Sequence, residues 1–359
     1  MTSRNQLKQI IGRNVSLEEG PDSTWNRLVS SLQDEIPTAP ALRSVSAHGI
    51  VHRIRTRYVP ALLRTAKGLR LNSTGPGSIY LNVSHYGLEQ KGILERVVGR
   101  GWRPVVLVHD LIPVTHPEYC SPVAGGWHRR RLDTIIDNAA LVICNSENTA
   151  RELRGFAEAD HRMAPELIVS PLGVEDEFLH PAAAAIKSRK YFIVVGTLEP
   201  RKNLLMLFSV WRRLAEQIGD ATPSLVLVGQ RGWESESIID HLERSPPVRR
   251  FVHEANGLQD HQVAQLLLGA SALLAPSFKE GFDLPVREAR AMGTPVIASD
   301  IPIHRELAPD AKLIDPLDGP AWLEAILNAT RKSEPRRRRT VNSWKDHFDL
   351  VSERMGLPR

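Results

Sequence analysis

Between Lys279 and Glu288 the sequence reads KEGFDLPVRE. Glu280 and Glu288 have seven residues between them, with Gly281 behind the first and Pro285 inside the interval. An apolar run, SALLAPS at 271–277, leads in, and VREARAMG leads out. This reads as a buried strand, a loop and a helix. Proline fits the first turn of a helix, where its fixed φ is already helical and its missing N–H is not needed. Gly281, Phe282, Asp283 and Leu284 then form the strand-to-helix loop, whose N–H groups face the space beyond the strand and favour an anion. Glu280 sits on the strand end, beside the reacting part of a ligand. Glu288 falls in the first turn of the helix, where a carboxylate caps the helix or accepts hydrogen bonds from a diol such as a ribose. The residues alone leave two plainer readings level with these: a surface turn acid at Glu280, and a dipole-favoured helix acid at Glu288.

A second group of charges follows another apolar run. YFIVVGT (191–197) continues as LEPRKN, so Gly196, Thr197, Glu199, Arg201 and Lys202 lie at or just beyond a strand. Gly196 permits close backbone approach. A planar guanidinium next to a point-charge ammonium suits a diphosphate. Lys202 and Asn203 open the next helix, whose first N–H groups also favour an anion. Taken alone, an Arg-Lys pair is equally a loop with exposed charges.

These loops need strands to hold them. SIYLNVSH (78–85), RPVVLVHD (103–110), ALVICNS (140–146) and ELIVSPLG (166–173) read as strands, alternating with the helices LERVVGRG, LDTIIDNA and ENTARELRGF. LHPAAAAIKSRK (179–190) reads as a linker. The alternation then restarts with YFIVVGT, SLVLVGQ (224–230), VRRFVHEA (248–255), SALLAPS, TPVIASD (294–300) and AKLIDP (311–316) as strands. The helices between them include NLLMLFSVWRRLAEQIG (203–219), ESIIDHLE and DHQVAQLLLGA (260–270), the last opened by an Asp260 cap. Continuous apolar strands split by helices imply parallel sheets covered on both faces. The fold class is α/β, with two Rossmann-like domains facing each other across a cleft, over 1–182 and 188–338. Ligands bind such sheets beyond the carboxyl ends of the strands.

The bulk properties agree. At 359 residues and 42% hydrophobic content, the chain can bury two cores. MTSRNQLKQIIGRN lacks the apolar region of a signal peptide, and no stretch approaches the roughly 18 apolar residues of a membrane span. Cys120 and Cys144 have no metal-ligand spacing, so a reduced, cytoplasmic protein is expected. The formal net charge is +5, and residues 36–88 contain no Asp or Glu but seven Lys or Arg. A basic surface favours nucleic acid, phospholipid or phosphorylated partners. No aromatic-interleaved basic motif or helix-turn-helix signature supports nucleic acid.

The segments GTLEPRKN, LVLVGQRGW and VHEANGLQDHQVAQLLLGASALLAPSFKEGFDLPVREARAMGTPVIASDIPIHRE together resemble glycosyltransferase family 4. These are retaining, nucleotide-sugar-dependent enzymes of the GT-B fold. The resemblance covers about 190–320 and, more weakly, 78–178. It implies that Glu280 contacts the donor sugar near the reaction centre and that Glu288 holds the ribose hydroxyls. Arg201 and Lys202 take the donor diphosphate, and the N–H groups of Gly281 to Leu284 touch the phosphates or sugar. VVLVHDLIPVTHPEYC resembles the strand end that carries the family's cleft histidine, matched by His109. His116 and Glu118 follow in the same loop, while His85 reads as a structural residue. SWKDHF (343–348) resembles the family's last helix, so 339–359 is expected to cross back to the first domain, with Trp344 and Phe348 on protein.

Two departures stand out. Asp283 stands where the family usually has Gly, which allows positive φ; Asp tolerates that conformation better than most residues. The family's opening strand and Gly-rich loop have no equivalent before Ser78, where the first 75 or so residues look helical and basic. The resemblance implies a nucleoside diphosphate sugar as co-substrate and no cofactor; no Asp-x-Asp motif stands in a suitable strand-end loop, so no metal is expected. GDP-mannose is the expected donor, with UDP-sugars next, and the acceptor a glycan, lipid-linked at the inner face of a bacterial plasma membrane. The basic segment 51–70 offers a surface for anionic lipid. The competing readings are a nucleotide-sugar epimerase of the same fold and a non-catalytic nucleotide-sugar or nucleic-acid binding protein.

Overall fold

The computed structural model describes residues 21–33, 77–181, 185–186, 189–332 and 335–357. The basic 51–70 segment lies outside them. Among the described residues, no helix is long and apolar enough to cross a membrane.

The first sheet is parallel, in the order β1 (Ile79–Asn82), β2 (Arg103–Val108), β3 (Leu141–Cys144), β4 (Leu167–Val169). Its central strands are apolar at successive positions because both faces are covered. Val106, Val108, Val142 and Cys144 pack with Leu132, Ile135 and Leu153 from two helices, Ala124–Asn138 and Glu147–Ala159. Val105, Leu107, Leu141 and Ile143 point the other way, onto Val351 and Met355. Those two belong to the last helix, Trp344–Met355, so the C-terminal segment does cross back to the first sheet. Ser343 caps it in a reciprocal box with Asp346. His347 lies buried, its Nδ1 2.8 Å from Ser170 Oγ. Trp344 and Phe348 stack on each other at 5.9 Å, but Phe348 is half exposed rather than packed on protein.

The second sheet is also parallel: β10 (Lys312–Ile314), β9 (Val296–Ser299), β8 (Leu273–Ala275), β5 (Tyr191–Val195), β6 (Ser224–Val228), β7 (Val252–Ala255). Strand order reverses between β5 and β8. That is the topological switch point, where the loops diverge and leave a crevice. Ile193 of β5 faces one core and Phe192 and Val194 the other.

Three expectations need correction. VRRFVHEA is not one strand: Pro246 and Pro247 start a short helix, Pro246–Phe251, and β7 begins only at Val252. The helix Asp260–Gly269 is capped by Gln259, boxed with Gln262, so Asp260 is its first helical residue. The helix Pro21–Gln33 does not belong with the first sheet. Its apolar stripe, Trp25, Leu28 and Leu32, packs into the second sheet's core beside Tyr191, Ile193 and Val226. The Leu32 carbonyl accepts a hydrogen bond from Arg189 N–H at 3.1 Å. An amphipathic stripe goes where a sheet face is open, and 1–182 is therefore not one spatial unit.

The return of the last helix depends on one glycine. A Cβ on Gly173 would collide with the backbone of Ser343 and Trp344, next to the bridge between Val174 and Ser343. Gly173→Ala should lose about 1–3 kcal/mol in urea unfolding. Gly155→Ala, on an exposed face of the helix Glu147–Ala159 with nothing near its Cβ, should gain up to about 1 kcal/mol. Equal effects at the two sites would contradict the close approach.

Candidate active site

The loops that follow β5 and β8 meet at the switch point. After β5 come Gly196 and Thr197, both half-buried, then a tight turn, Pro200–Lys202. Asn203 then adopts the left-handed region (φ 54°), one of the few side chains that does so readily, and the helix Leu204–Ile218 begins. The Asn203 amide donates to the carbonyls of Pro276 (3.2 Å) and Pro316 (2.8 Å), which ties this loop to the ends of β8 and β10. Phe278 N–H donates to the Arg201 carbonyl at 3.0 Å. The two charged stretches, 78 residues apart at Arg201 and Lys279, are thereby one construction; Arg201 Nη1 also donates to the Lys279 carbonyl at 2.6 Å.

At its centre is Glu280, buried at 6% exposure. Arg201 Nη1 lies 2.5 Å from one carboxylate oxygen and Lys202 Nζ 2.6 Å from the other. The Lys202 contact is an ion pair without a well-aligned hydrogen bond. Arg201 is held from its other side by Glu199 at 2.6 Å. Burial works against the charge on Glu280, but Lys202 and Arg201 overcome it and hold the carboxyl far below its usual range. Burial likewise opposes the charge on Lys202, and Glu280 and Asp283 outweigh it, leaving the ammonium harder to deprotonate than usual. Glu280 is thus a fixed anion. It can orient a hydroxyl or steady positive charge, but it is not a proton donor near neutral pH.

The following loop bears out the strand-loop-helix reading. Asp283 takes the left-handed conformation (φ 62°) at the N-cap, and Pro285 sits in the first turn of the helix Leu284–Met292. Glu288 is half-buried but one turn further in than expected, because the helix already begins at Leu284. Phe282 is buried with Ile301, Ile303 and Leu307, and Leu284 packs on that group. Asp283 does not cap the helix. Its Oδ2 lies 2.9 Å from Nε2 of the fully buried His304. His304 Nδ1 lies 2.8 Å from the Ser299 carbonyl. Burial disfavours a charge on His304, but Asp283 more than compensates and raises its pKa.

The first domain closes on this loop. A Cβ on Gly281 would lie 2.8 Å from Asp110 Cβ and 3.0 Å from the His109 carbonyl, so only glycine fits. His109 therefore comes to the site, yet its side chain faces home: Nε2 lies 2.8 Å from the Val83 carbonyl. The His109 carbonyl accepts from Asn145 Nδ2 at 2.8 Å. His85 is buried, at φ 58°, against the His109 ring, and burial lowers its pKa well below normal. His116 stacks on Tyr119 while Glu118 is exposed. Tyr119 stacks in turn on Phe278 of the second domain, with centroids 5.9 Å apart. Lys279 pairs with Glu152, and Glu306 accepts from the N–H groups of Glu147 and Asn148, both at 2.9 Å. Sequence reasoning missed His304, Tyr119 and Phe278. Only the aromatic types in strand-end loops hinted at the last two.

Comparison with known proteins agrees with this geometry. Residues 175–346 match the family described as Glycosyl transferases group 1, spanning β5 to β10 and the whole charged cluster. The second domain is thus similar to this family over just under half of the chain. An O-antigen chain mannosyltransferase B from Escherichia coli is 29% identical over 238 residues, covering 63% of this chain and 61% of that protein. An MMP alpha-(1->4)-mannosyltransferase from Mycolicibacterium hassiacum is 32% identical, covering 63% and 56%. The serotype-specific mannosyltransferase WbdA of E. coli is 28% identical over 56% of this chain and 26% of its own length. The chain thus spans only about a quarter to three-fifths of these relatives. Among solved structures, Anabaena HepE in complex with UDP superposes with a TM-score of 0.56 at 17% identity, covering 83% of this chain and 78% of that one. A trehalose-phosphate synthase from Burkholderia xenovorans gives 0.57 at 15%, covering 84% and 74%. The fold is GT-B.

The buried cluster makes a prediction about stability. Glu280→Gln leaves two buried cations without their shared carboxylate and should cost about 3 kcal/mol at pH 7. A depressed carboxyl stabilises the fold fully above its unfolded value of 4.5 and loses that contribution as pH falls through the folded value. The gap between wild type and variant should therefore narrow only below pH 4.5. Urea titrations at several pH values read this directly. A gap that does not change with pH would show that the carboxylate is not charged in the fold.

Proposed function

We propose that the protein is a retaining glycosyltransferase that moves a hexose from a nucleoside diphosphate sugar to a glycan. The observation that carries this is the pair of cations, Arg201 and Lys202, fixed around Glu280 at the switch point of a Rossmann-like sheet. Two buried cations that stay charged suit a leaving diphosphate, whose negative charge grows as the glycosidic bond breaks. Lys202, Arg201 and the N–H groups of Gly281 to Leu284 hold the phosphates. Glu280, permanently ionised, orients the sugar and steadies positive charge on its anomeric carbon. Since Glu280 cannot supply or take a proton readily, the acceptor hydroxyl passes its proton to the departing diphosphate, and attack comes from the same face. Glu288 serves the ribose from the second helical turn. Gly196 and Thr197 border the phosphates, and the His109 strand end closes the sugar side. No metal or other cofactor is required in this scheme.

The mannosyltransferase names among the relatives favour GDP-mannose and a role in bacterial surface or exopolysaccharide synthesis. The acceptor is then a lipid-linked glycan, met at the inner face of the plasma membrane through the basic 51–70 segment. Two measurements test the reading. A thermal-shift screen of nucleotide sugars should single out GDP-mannose, because a ligand at 100 times its dissociation constant adds about 2.7 kcal/mol. Glu280→Ala should then cut transfer of labelled mannose well over tenfold, given about 3 kcal/mol for one lost transition-state contact. Turnover near wild type in that variant would refute the role of Glu280. Release of a free epimer without acceptor would instead identify an epimerase.

A further inference from the structure

Asp283 and His304 form a second ion pair directly behind the proposed phosphate site. Both are almost entirely buried, and each His304 ring nitrogen faces an acceptor: the Asp283 carboxylate at 2.9 Å and the Ser299 carbonyl at 2.8 Å. A neutral imidazole has only one N–H, so this arrangement is satisfied only by the imidazolium. An aspartate at an N-cap ordinarily turns its carboxylate onto the N–H groups of the next turn. Here the Asp283 side chain makes no such bond to the helix Leu284–Met292; its backbone is left-handed and its carboxylate is paired with His304 instead.

Resting on the reading that Arg201 and Lys202 take a diphosphate, we propose that His304 is a positioning residue for the donor. Its imidazolium holds the Asp283 carboxylate off the start of the helix and leaves the loop N–H groups and Lys202 to the phosphates. Among the described residues, Arg287 of the helix Leu284–Met292 lies over the Phe282 ring and donates to the Asn342 side chain. Glu280 faces His304 from the β8 loop, and Lys202 feels both Glu280 and Asp283. On the His304 helix, Pro302–Leu307, Arg305 pairs with Asp300 and Glu306 is held by the first domain. Glu199 completes the cluster on Arg201. Three cations (Arg201, Lys202, His304) therefore balance three carboxylates (Glu199, Glu280, Asp283). If His304 loses its proton, Asp283 is released as an extra negative charge. It then competes for Lys202 and the helix start, and repels the diphosphate. The raised pKa fits this: the imidazolium persists above the ordinary 6.5 and the pair is lost as pH rises through the folded value.

The test uses GDP and UDP as probes, with affinity measured by calorimetry on the full chain. Between about pH 7 and about pH 9, above the titration of the terminal phosphate, wild-type affinity should weaken about tenfold as the histidine deprotonates. Asp283→Asn and Asp283→Gly both tolerate positive φ and remove the carboxylate, so their affinities should stay level across that range. His304→Gln should bind weakly at every pH, and adding Asp283→Asn should restore it. A purely structural pair would lower stability in the single variants without flattening the pH profile. The proposal fails if Asp283→Asn keeps the wild-type slope, or if the double variant binds no better than His304→Gln. Failure of the wild type to bind either nucleotide at any pH would instead overturn the donor-site reading on which this rests.

Discussion

The structure turns on one carboxylate held between two cations. Glu280 lies where β8 ends, Arg201 and Lys202 where β5 ends, and their contact crosses the one place where the sheet reverses its strand order. An uncompensated charge at this depth would be prohibitive, so each of the three requires the others. The neighbouring backbone follows from that need. Asn203 is bent into a left-handed turn to bring Lys202 round, and Phe278 N–H bonds to Arg201 to keep the two loops in step. Glu280 and Lys202 each gain their altered acidity from the other. The site is therefore electrostatically prepared by the fold, and little must reorganise when charge develops on a ligand.

The same economy of contact governs the boundary between the domains. Gly281 lets the second domain's loop press against the His109 strand end, while Tyr119 stacks on Phe278 a few residues away. Glu306 occupies the start of the helix Glu147–Ala159, supplying from the second domain the acceptor that this helix end needs. These contacts surround the charged cluster rather than compete with it. Their chemistry is ionic at Lys279 and Glu306 and aromatic at Tyr119 and Phe278.

Much of this was legible in the sequence, for definite reasons. Parallel strands buried on both faces are written as unbroken apolar runs, so the starts of β2, β3, β5 and β6 could be read to within a residue, while their ends were placed too late. The loop of Glu280 was legible because glycine and proline punctuate it in a fixed order. The proline pair at 246–247 was the exception, a helix start hidden at the front of an apolar run. What stayed hidden depended on pairing across distance. Nothing in IPIHREL announces that His304 will meet Asp283, 21 residues earlier, in the buried interior. The helix Pro21–Gln33 displays an apolar stripe, but a stripe does not say which sheet it will cover.

That helix has a consequence beyond its own burial. It lies on the second sheet, although the chain next enters the first; the last helix lies on the first, although the chain has just left the second. Each domain is thus roofed by a segment from the far end of the other's sequence, and neither is a continuous stretch of chain. A cut between β4 and β5 would yield two fragments, each missing part of its own cover and each carrying an orphaned apolar helix. The two halves are interlaced like clasped hands, and such a protein should melt as one body and resist being divided into modules.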